Sequence, residues 1–329
     1  MKFSRRHFLR LAAGTAALPI MPRIAIAQAY PVRPITMVVP FPPGGPVDTI
    51  ARIVADRMRT TLGQSIVVEN VAGASGSIGV GRAVRAAPDG YTLSVGSWSS
   101  HLFTGAVYAL KYDLLKDLEP VVLLAGEPQL IFAKKTMPAA DLRELVAWLK
   151  ANPDKASAGT QGVGSIGHLD GILFQKVIGT RFQFVPYRGG APATQDLMAG
   201  QIDIYFDSPV ITLAQVRAGT VKAYAVMSKN RMASAPDIPT VDEAGLPGLY
   251  VSNWRAIWVP KGTPKDIIVK LNAAAVDALA DLTVRSRLAE LGQEIPPHDQ
   301  QTPEALGAFQ KAEAEKWWPL IKEANIRGE

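Results

Sequence analysis

The chain has 329 residues, a length that suits two domains better than one core. Its 48% hydrophobic and 19% charged residues are those of a folded globular protein, and the lack of cysteine excludes disulfides, thiolate nucleophiles and cysteine metal sites. The formal charge of +6 comes mostly from residues 1–27, where Lys2, Arg5, Arg6, Arg10 and Arg23 meet no acidic residue. The remainder holds 30 basic against 29 acidic groups, a net +1, which offers no electrostatic footprint for nucleic acid.

Along the chain, the first feature is a leader. Ser4-Arg5-Arg6-His7-Phe8-Leu9 precedes the apolar stretch Leu11–Ile20 and the small residues around Ala27 and Ala29. A charged region, a short apolar region and small-residue cleavage sites, in that order, predict a signal peptide over residues 1–29, cut after Ala27 or Ala29. Its Ser-Arg-Arg-X-Phe-Leu run matches the twin-arginine export pattern. The apolar stretch is too short to span a bilayer, so the mature chain is expected in the periplasm with no membrane anchor.

Beyond the leader, strand-like and helix-like segments alternate. Ile35–Val39 reads as a buried strand, and apolar residues from Ile50 to Leu62 recur at helical spacing until Gly63. Ser65–Val68, Thr92–Val95, Leu130–Ala133, Phe184–Pro186, Ile202–Phe206, Tyr224–Met227 and Ala256–Val259 read as further strands. Ile78–Ala86, Leu142–Lys150, Ser165–Ile178 and Ala193–Ala199 read as helices between them. Thr263-Pro264 and Thr302-Pro303 each predict a hydroxyl N-cap before a proline at the first helical position. Phe309, Trp317 and Leu320 are predicted to dock the last helix. The alternation implies an α/β protein with mainly parallel sheets covered by helices on both faces.

Three strand-to-helix loops carry the candidate site, because ligands of open parallel sheets bind at the carboxyl ends of strands. The first contains Phe41, Pro43, Gly44, Gly45, Val47 and Asp48. Prolines stiffen it while the glycines allow close backbone approach and expose N–H groups; a rigid turn with Asp48 as helix cap is the competing structural reading. The second contains Gly159, Thr160, Gln161, Ser165 and His168, with amide and hydroxyl donors at a positive helix end that suit a carboxylate or phosphate. It has no P-loop lysine, and no G-x-G-x-x-G fingerprint. In the third, Arg188 is a candidate anion partner. Asp207 and Ser97, with Trp98 and Ser99, follow other strands toward the same cleft. Ser165 and His168 also permit a secreted hydrolase, although no nucleophile elbow or orienting third residue accompanies them. The histidines are scattered, so neither a metal nor a cofactor is expected, and no catalytic residue is assigned.

Taken together, several ordered motifs resemble the tripartite tricarboxylate transporter receptor family, also called Bug or TctC-like periplasmic binding proteins. They are Pro40-Phe41-Pro42-Pro43-Gly44-Gly45-Pro46-Val47-Asp48, Glu69-Asn70-Val71-Ala72-Gly73-Ala74-Ser75-Gly76, Ala87-Pro88-Asp89-Gly90-Tyr91-Thr92-Leu93, Val185-Pro186-Tyr187-Arg188-Gly189, Gly200-Gln201-Ile202-Asp203 and Pro236-Asp237-Ile238-Pro239-Thr240. The resemblance implies a type II periplasmic-binding-protein fold. Two lobes would close on a cleft, residues 30–126 and 229–329 forming lobe 1 and an inserted 127–228 forming lobe 2. It implies a monomeric receptor that binds a small carboxylate through the first two loops, with Asp207 placed to contact the rest of the ligand. The partners would be membrane transporter subunits of the tripartite type; a sensory subunit binding the same ligand is the alternative. Gln161 and Val163 stand where the family often carries Ser or Asn, which leaves the ligand open.

Overall fold

The computed structural model describes residues 30–162, 164–187 and 190–327. The predicted leader lies outside these residues, as does Arg188. The described chain opens with β1 (Ile35–Val39), α1 (Pro46–Leu62), β2 (Ile66–Asn70), α2 (Ser77–Val84) and β3 (Thr92–Ser97). A π-helical turn over Ser99–Phe103 leads into the short α3 (Thr104–Val107) and the long β4 (Leu118–Pro128). Gln129 alone separates β4 from β5 (Leu130–Lys134), after which come α4 (Leu142–Ala151), β6 (Ser157–Thr160), α5 (Ile166–Ile178) and β7 (Gln183–Pro186). Next are α6 (Gly190–Ala199), β8 (Ile204–Asp207), α7 (Pro209–Arg217) and β9 (Val221–Val226). The chain closes with β10 (Ser252–Pro260), α8 (Lys265–Ala280), α9 (Leu282–Glu290) and α10 (Pro303–Glu323).

The strands form two five-stranded sheets, ordered β2-β1-β3-β10-β4 and β7-β6-β8-β5-β9, each flanked by helices. The expectation of mainly parallel sheets needs refining. β10 is antiparallel to both β3 and β4, and β5 is antiparallel to both β8 and β9, so half the pairings are antiparallel. The reason lies in the crossings. β5 and β10 are the strands that arrive from the other sheet, so each starts at the junction and runs against its neighbours. All the others end there. The carboxyl ends of β1 and β3 in one sheet, and of β6 and β8 in the other, therefore face a common junction.

Local signals explain most helix ends. Pro46 occupies the first turn of α1 and Gly63 ends it in the left-handed region at φ 68°, its N–H donating to Arg59 O. Thr302 caps α10 by accepting from Ala305 N at 3.1 Å. Thr263 does not cap α8: its hydroxyl donates to Pro260 O at 2.7 Å, and the helix starts at Lys265 after Pro264. A hydroxyl already committed to the turn before it cannot reach forward to the helix. Helix α10 docks through Trp317 and Leu320, both buried, and Phe309 meets Trp254 edge-on at 5.6 Å.

One core group has a measurable consequence. His101 is fully buried, stacked on Trp258 at 4.0 Å and bonded to Ser94 Oγ and Ser100 Oγ at 3.0 and 2.9 Å. Burial lowers its pKa to about 3, against 6.5 when solvated. The unfolded chain therefore takes up this proton first, so the stability this group contributes is complete above pH 6.5 and is lost as pH falls toward 3. His101→Phe is expected to flatten the acid limb of a urea-unfolding profile by up to about 1.4 kcal/mol per pH unit. An unchanged slope would contradict a neutral, buried imidazole.

Candidate functional site

Two helix starts, one from each sheet, face one another across the junction. In the β1–α1 loop, Gly44 sits at φ 81°, a conformation that favours glycine. Its N–H donates to Asp48 Oδ2 at 2.8 Å, and the same carboxylate accepts from Arg52 Nε at 2.9 Å and Asn70 Nδ2 at 2.9 Å. Burial opposes the charge on Asp48, but these bonds outweigh it and hold the carboxyl below its usual range. Asp48 thus braces the loop from behind. It is neither the N-cap, which is Gly45, nor a wall of the cleft. With Pro46 lacking an N–H and Thr49 N bonded to Gly45 O, the N–H groups of Val47 and Asp48 have no acceptor among the described residues.

The second start is α5. Ser165 is its N-cap, accepting from His168 N at 3.3 Å, and Leu169 N bonds Ser165 O at 3.1 Å. The N–H groups of Ile166 and Gly167 have no acceptor among the described residues. Gly164 N donates to His168 Nδ1 at 3.0 Å, which makes that nitrogen an acceptor, and burial lowers the imidazole pKa. Ser165 Oγ therefore meets the backbone of His168, not its ring. Nothing in this arrangement supplies Ser165 with a base.

Both helix starts open on a single cavity of about 830 Å³ between the two sheets, within the range of small-molecule sites. Of the residues predicted from sequence, Phe41, Pro43, Gly44, Gly45, Val47, Ser97, Gln161 and Ser165 line it. Gly159, Thr160, His168 and Asp207 do not. Gly159 is a packing glycine, since a Cβ there would meet Ile202 at 2.4 Å. Thr160 is buried and accepts weakly from Gly162 N at 3.4 Å. Asp207 stands behind Gln161, whose Nε2 donates to Asp207 Oδ1 and to Tyr205 Oη, both at 2.9 Å. Burial pushes the Asp207 carboxyl up to about 6, and its Oδ2 has no partner among the described residues.

Sequence reasoning missed the wall contributed by β10. Asn253 and Arg255 line the cavity from the start of that strand, beside Ser97, to which Arg255 is register-paired. Their spacing of two residues puts both on one face of a strand, a signal visible just ahead of the apolar run Ala256–Val259. Ser75, Phe103 and Ile166 also line the cavity without having been predicted. Among the described residues, no group of three or more His, Asp or Glu could hold a metal ion, and no helix is long and apolar enough to cross a membrane.

A sequence model described as tripartite tricarboxylate transporter family receptor matches residues 50–326. The chain is 40% identical over 317 residues to a UPF0065 protein in the TAR-I ttuE-ttuC' intergenic region of Agrobacterium vitis, covering 96% of this chain and 92% of the relative. Among solved structures, MatC from Rhodopseudomonas palustris with bound malate is 39% identical, with a TM-score of 0.70 over 89% of this chain and 100% of MatC. The periplasmic binding protein BugD is 38% identical, with a TM-score of 0.69 over 91% of this chain and 100% of BugD.

Proposed function

We propose a transport role from one premise: this chain belongs to the tripartite tricarboxylate transporter receptor family. On this reading it is an exported solute-binding protein. Residues 1–29 are its twin-arginine signal peptide, and the mature chain works as a monomer in the periplasm. Residues 30–126 with 229–329 form one lobe and 127–228 the other. The ligand is a small carboxylate, delivered to membrane subunits of the tripartite type.

The observation that carries the reading is the pair of helix starts, where Val47 of α1 and Ser165 and Ile166 of α5 line one cleft and the N–H groups of Val47 and Ile166 have no acceptor among the described residues. An anion placed between them would neutralise both helix ends and accept charge-assisted hydrogen bonds, each contributing about 1.5–3 kcal/mol. Three such bonds contribute about 4.5–9 kcal/mol, a range whose upper part includes the roughly −8 kcal/mol of micromolar binding. Because the two starts belong to different sheets, a ligand held by both favours the closed arrangement of the lobes. Malate bound in MatC fits the same ligand class.

The test is a thermal-shift panel of carboxylic acids followed by calorimetry on the best of them. Ser165→Ala should weaken that ligand about tenfold, from loss of one hydroxyl donor, and cost about 1 kcal/mol of stability from loss of the cap. A panel in which no acid raises the melting temperature would sink the proposal.

A further inference from the structure

We infer that Asp170 links capture of the carboxylate to uptake of a proton, so that the ligand is held most tightly while this acid, one turn along α5, is neutral. The coupling rests on the carboxylate reading above and adds to it a second, regulating ligand, the proton.

Asp170 is fully buried, and neither of its carboxylate oxygens has a hydrogen-bond partner among the described residues. It sits on α5, which packs on β8 and β6 of one sheet and on α10; that last helix lies against β4 of the other sheet. Lys316 and Glu313 bear on it from α10 and Asp207 from the end of β8, while β6 carries no titratable side chain. Lys316 is committed elsewhere, its Nζ donating to Tyr250 O and lying 4.7 Å from the Trp317 ring centroid. Glu313 accepts from the indole N–H groups of Trp254 and Trp317, both at 3.2 Å. Farther along α10, Glu323 is paired with Lys176 of α5 at 2.8 Å. On α5 itself, burial lowers the His168 pKa and so favours its neutral form.

An ionised Asp170 would thus be a third anion beside one ammonium, with neither water nor an N–H group to solvate it. The neutral acid is the form this place accepts. Burial accordingly holds the carboxyl well above its usual range, Lys316 opposing this while Asp207 and Glu313 add to it. Even protonated, a buried acid without an acceptor is costly, and an apolar residue would pack here at lower cost. An acid that stability disfavours, in the helix that presents donors to the ligand, points to function.

Helix geometry couples it to the cleft. Asp170 follows Ile166 by four residues, about 6 Å along the axis, and a carboxylate bonded to Ile166 N lies about 3 Å beyond. Two negative charges roughly 9 Å apart, at an effective dielectric of about 20, repel by the equivalent of about a 20-fold change in affinity. The liganded protein therefore holds this proton more tightly than the free protein does. By linkage, affinity falls as pH rises and Asp170 ionises. The ligand alone would give the opposite trend, because its own carboxylate only gains charge as pH rises.

The experiment is calorimetry on the mature protein with the strongest acid of the panel, from pH 5.5 to pH 9, in wild type, Asp170→Asn and Asp207→Asn. Wild type should bind up to about 20-fold more weakly at the alkaline end. A fraction of a proton should be taken up per ligand, read from the dependence of binding enthalpy on the ionisation enthalpy of the buffer. Asp170→Asn, a neutral isostere, should bind within about threefold of wild type at pH 5.5 and keep that affinity to pH 9. The Asp207 carboxyl, pushed up to about 6, ionises in the same range, so Asp207→Asn should retain the fall that Asp170→Asn removes. Should Asp170→Asn fold poorly, Asp170→Leu gives the same comparison with another uncharged side chain. A merely structural Asp170 would move the urea midpoint of its variants and leave the wild-type pH profile of affinity in place. Affinity that is flat in wild type, or a fall that survives in Asp170→Asn, overturns the role of Asp170 and leaves the receptor reading standing. Failure of wild type to bind any acid across the range would overturn both.

Discussion

Glu127→Ala should destabilise the folded protein by about 3–5 kcal/mol, and Arg255 is the reason. The two side chains are 6% and 3% exposed, and their pairing is the most buried ion pair among the described residues. Both carboxylate oxygens are engaged, Oε1 by Arg255 and Asn253 and Oε2 by Gln293. Alanine would strand the guanidinium without a counter-ion in a site that water scarcely enters. It would also release two amide donors. The penalty belongs to the orphaned charge, not to the pair as such, because burying two ions costs nearly as much as their attraction returns. Glu127→Leu with Arg255→Leu is therefore expected to lie within about 2 kcal/mol of wild type, closer than either single change. Urea unfolding of the three variants measures this. A loss below about 1 kcal/mol in Glu127→Ala would show that water already solvates the arginine.

What the sequence discloses about this fold follows how local each cause is. β1 and α1 are legible because one short window holds both the apolar pattern and the punctuation, Pro46 at the start and Gly63 at the end. β4 is the longest strand and is not legible, because Pro120, Gly126 and Pro128 interrupt its apolar run and tertiary pairing with β10 holds it extended. The two Thr-Pro pairs show the same boundary. Thr302 caps and Thr263 does not, and the difference is a bond to Pro260 O that no spacing rule contains.

The candidate site divides in the same way. Gly44, Gly45, Gln161 and Ser165 could be anticipated because loops between strands and helices carry their donors wherever the fold puts them. Asp48 at a helix start and Asp207 at a strand end could be recognised as polar residues of the site region but not as standing behind the cavity wall. Their orientation is set by distant partners, Asn70 for one and Gln161 for the other. The spacing of Asn253 and Arg255 marks one strand face, but their place at the site is not legible, for a stronger reason. They join the site only because β10 inserts between β3 and β4, a pairing between segments more than a hundred residues apart.

The second large effect is on ligand affinity. Gly167→Ala is expected to weaken carboxylate binding by roughly 10- to 100-fold, the equivalent of one charge-assisted hydrogen bond lost. Gly167 is the second residue of α5, and a Cβ there would lie 2.4 Å from Phe206 O and 2.6 Å from Gln161 Oε1. Neither neighbour yields easily. Phe206 O belongs to β8, in the middle of its sheet, and Gln161 is tied to Tyr205 and Asp207. The first turn of α5 must therefore move off the sheet, carrying with it the N–H groups of Ile166 and Gly167 and the Ser165 hydroxyl. Alanine's better helix propensity, about 1 kcal/mol, offsets part of the strain, so stability should fall by no more than about 1–2 kcal/mol. Affinity has no such compensation, because hydrogen bonds to an anion depend on donors staying within a few tenths of an ångström. Calorimetry with the strongest acid of the panel, beside a urea titration, separates the two effects. A variant that loses stability but binds as wild type would mean that the start of α5 does not hold the ligand.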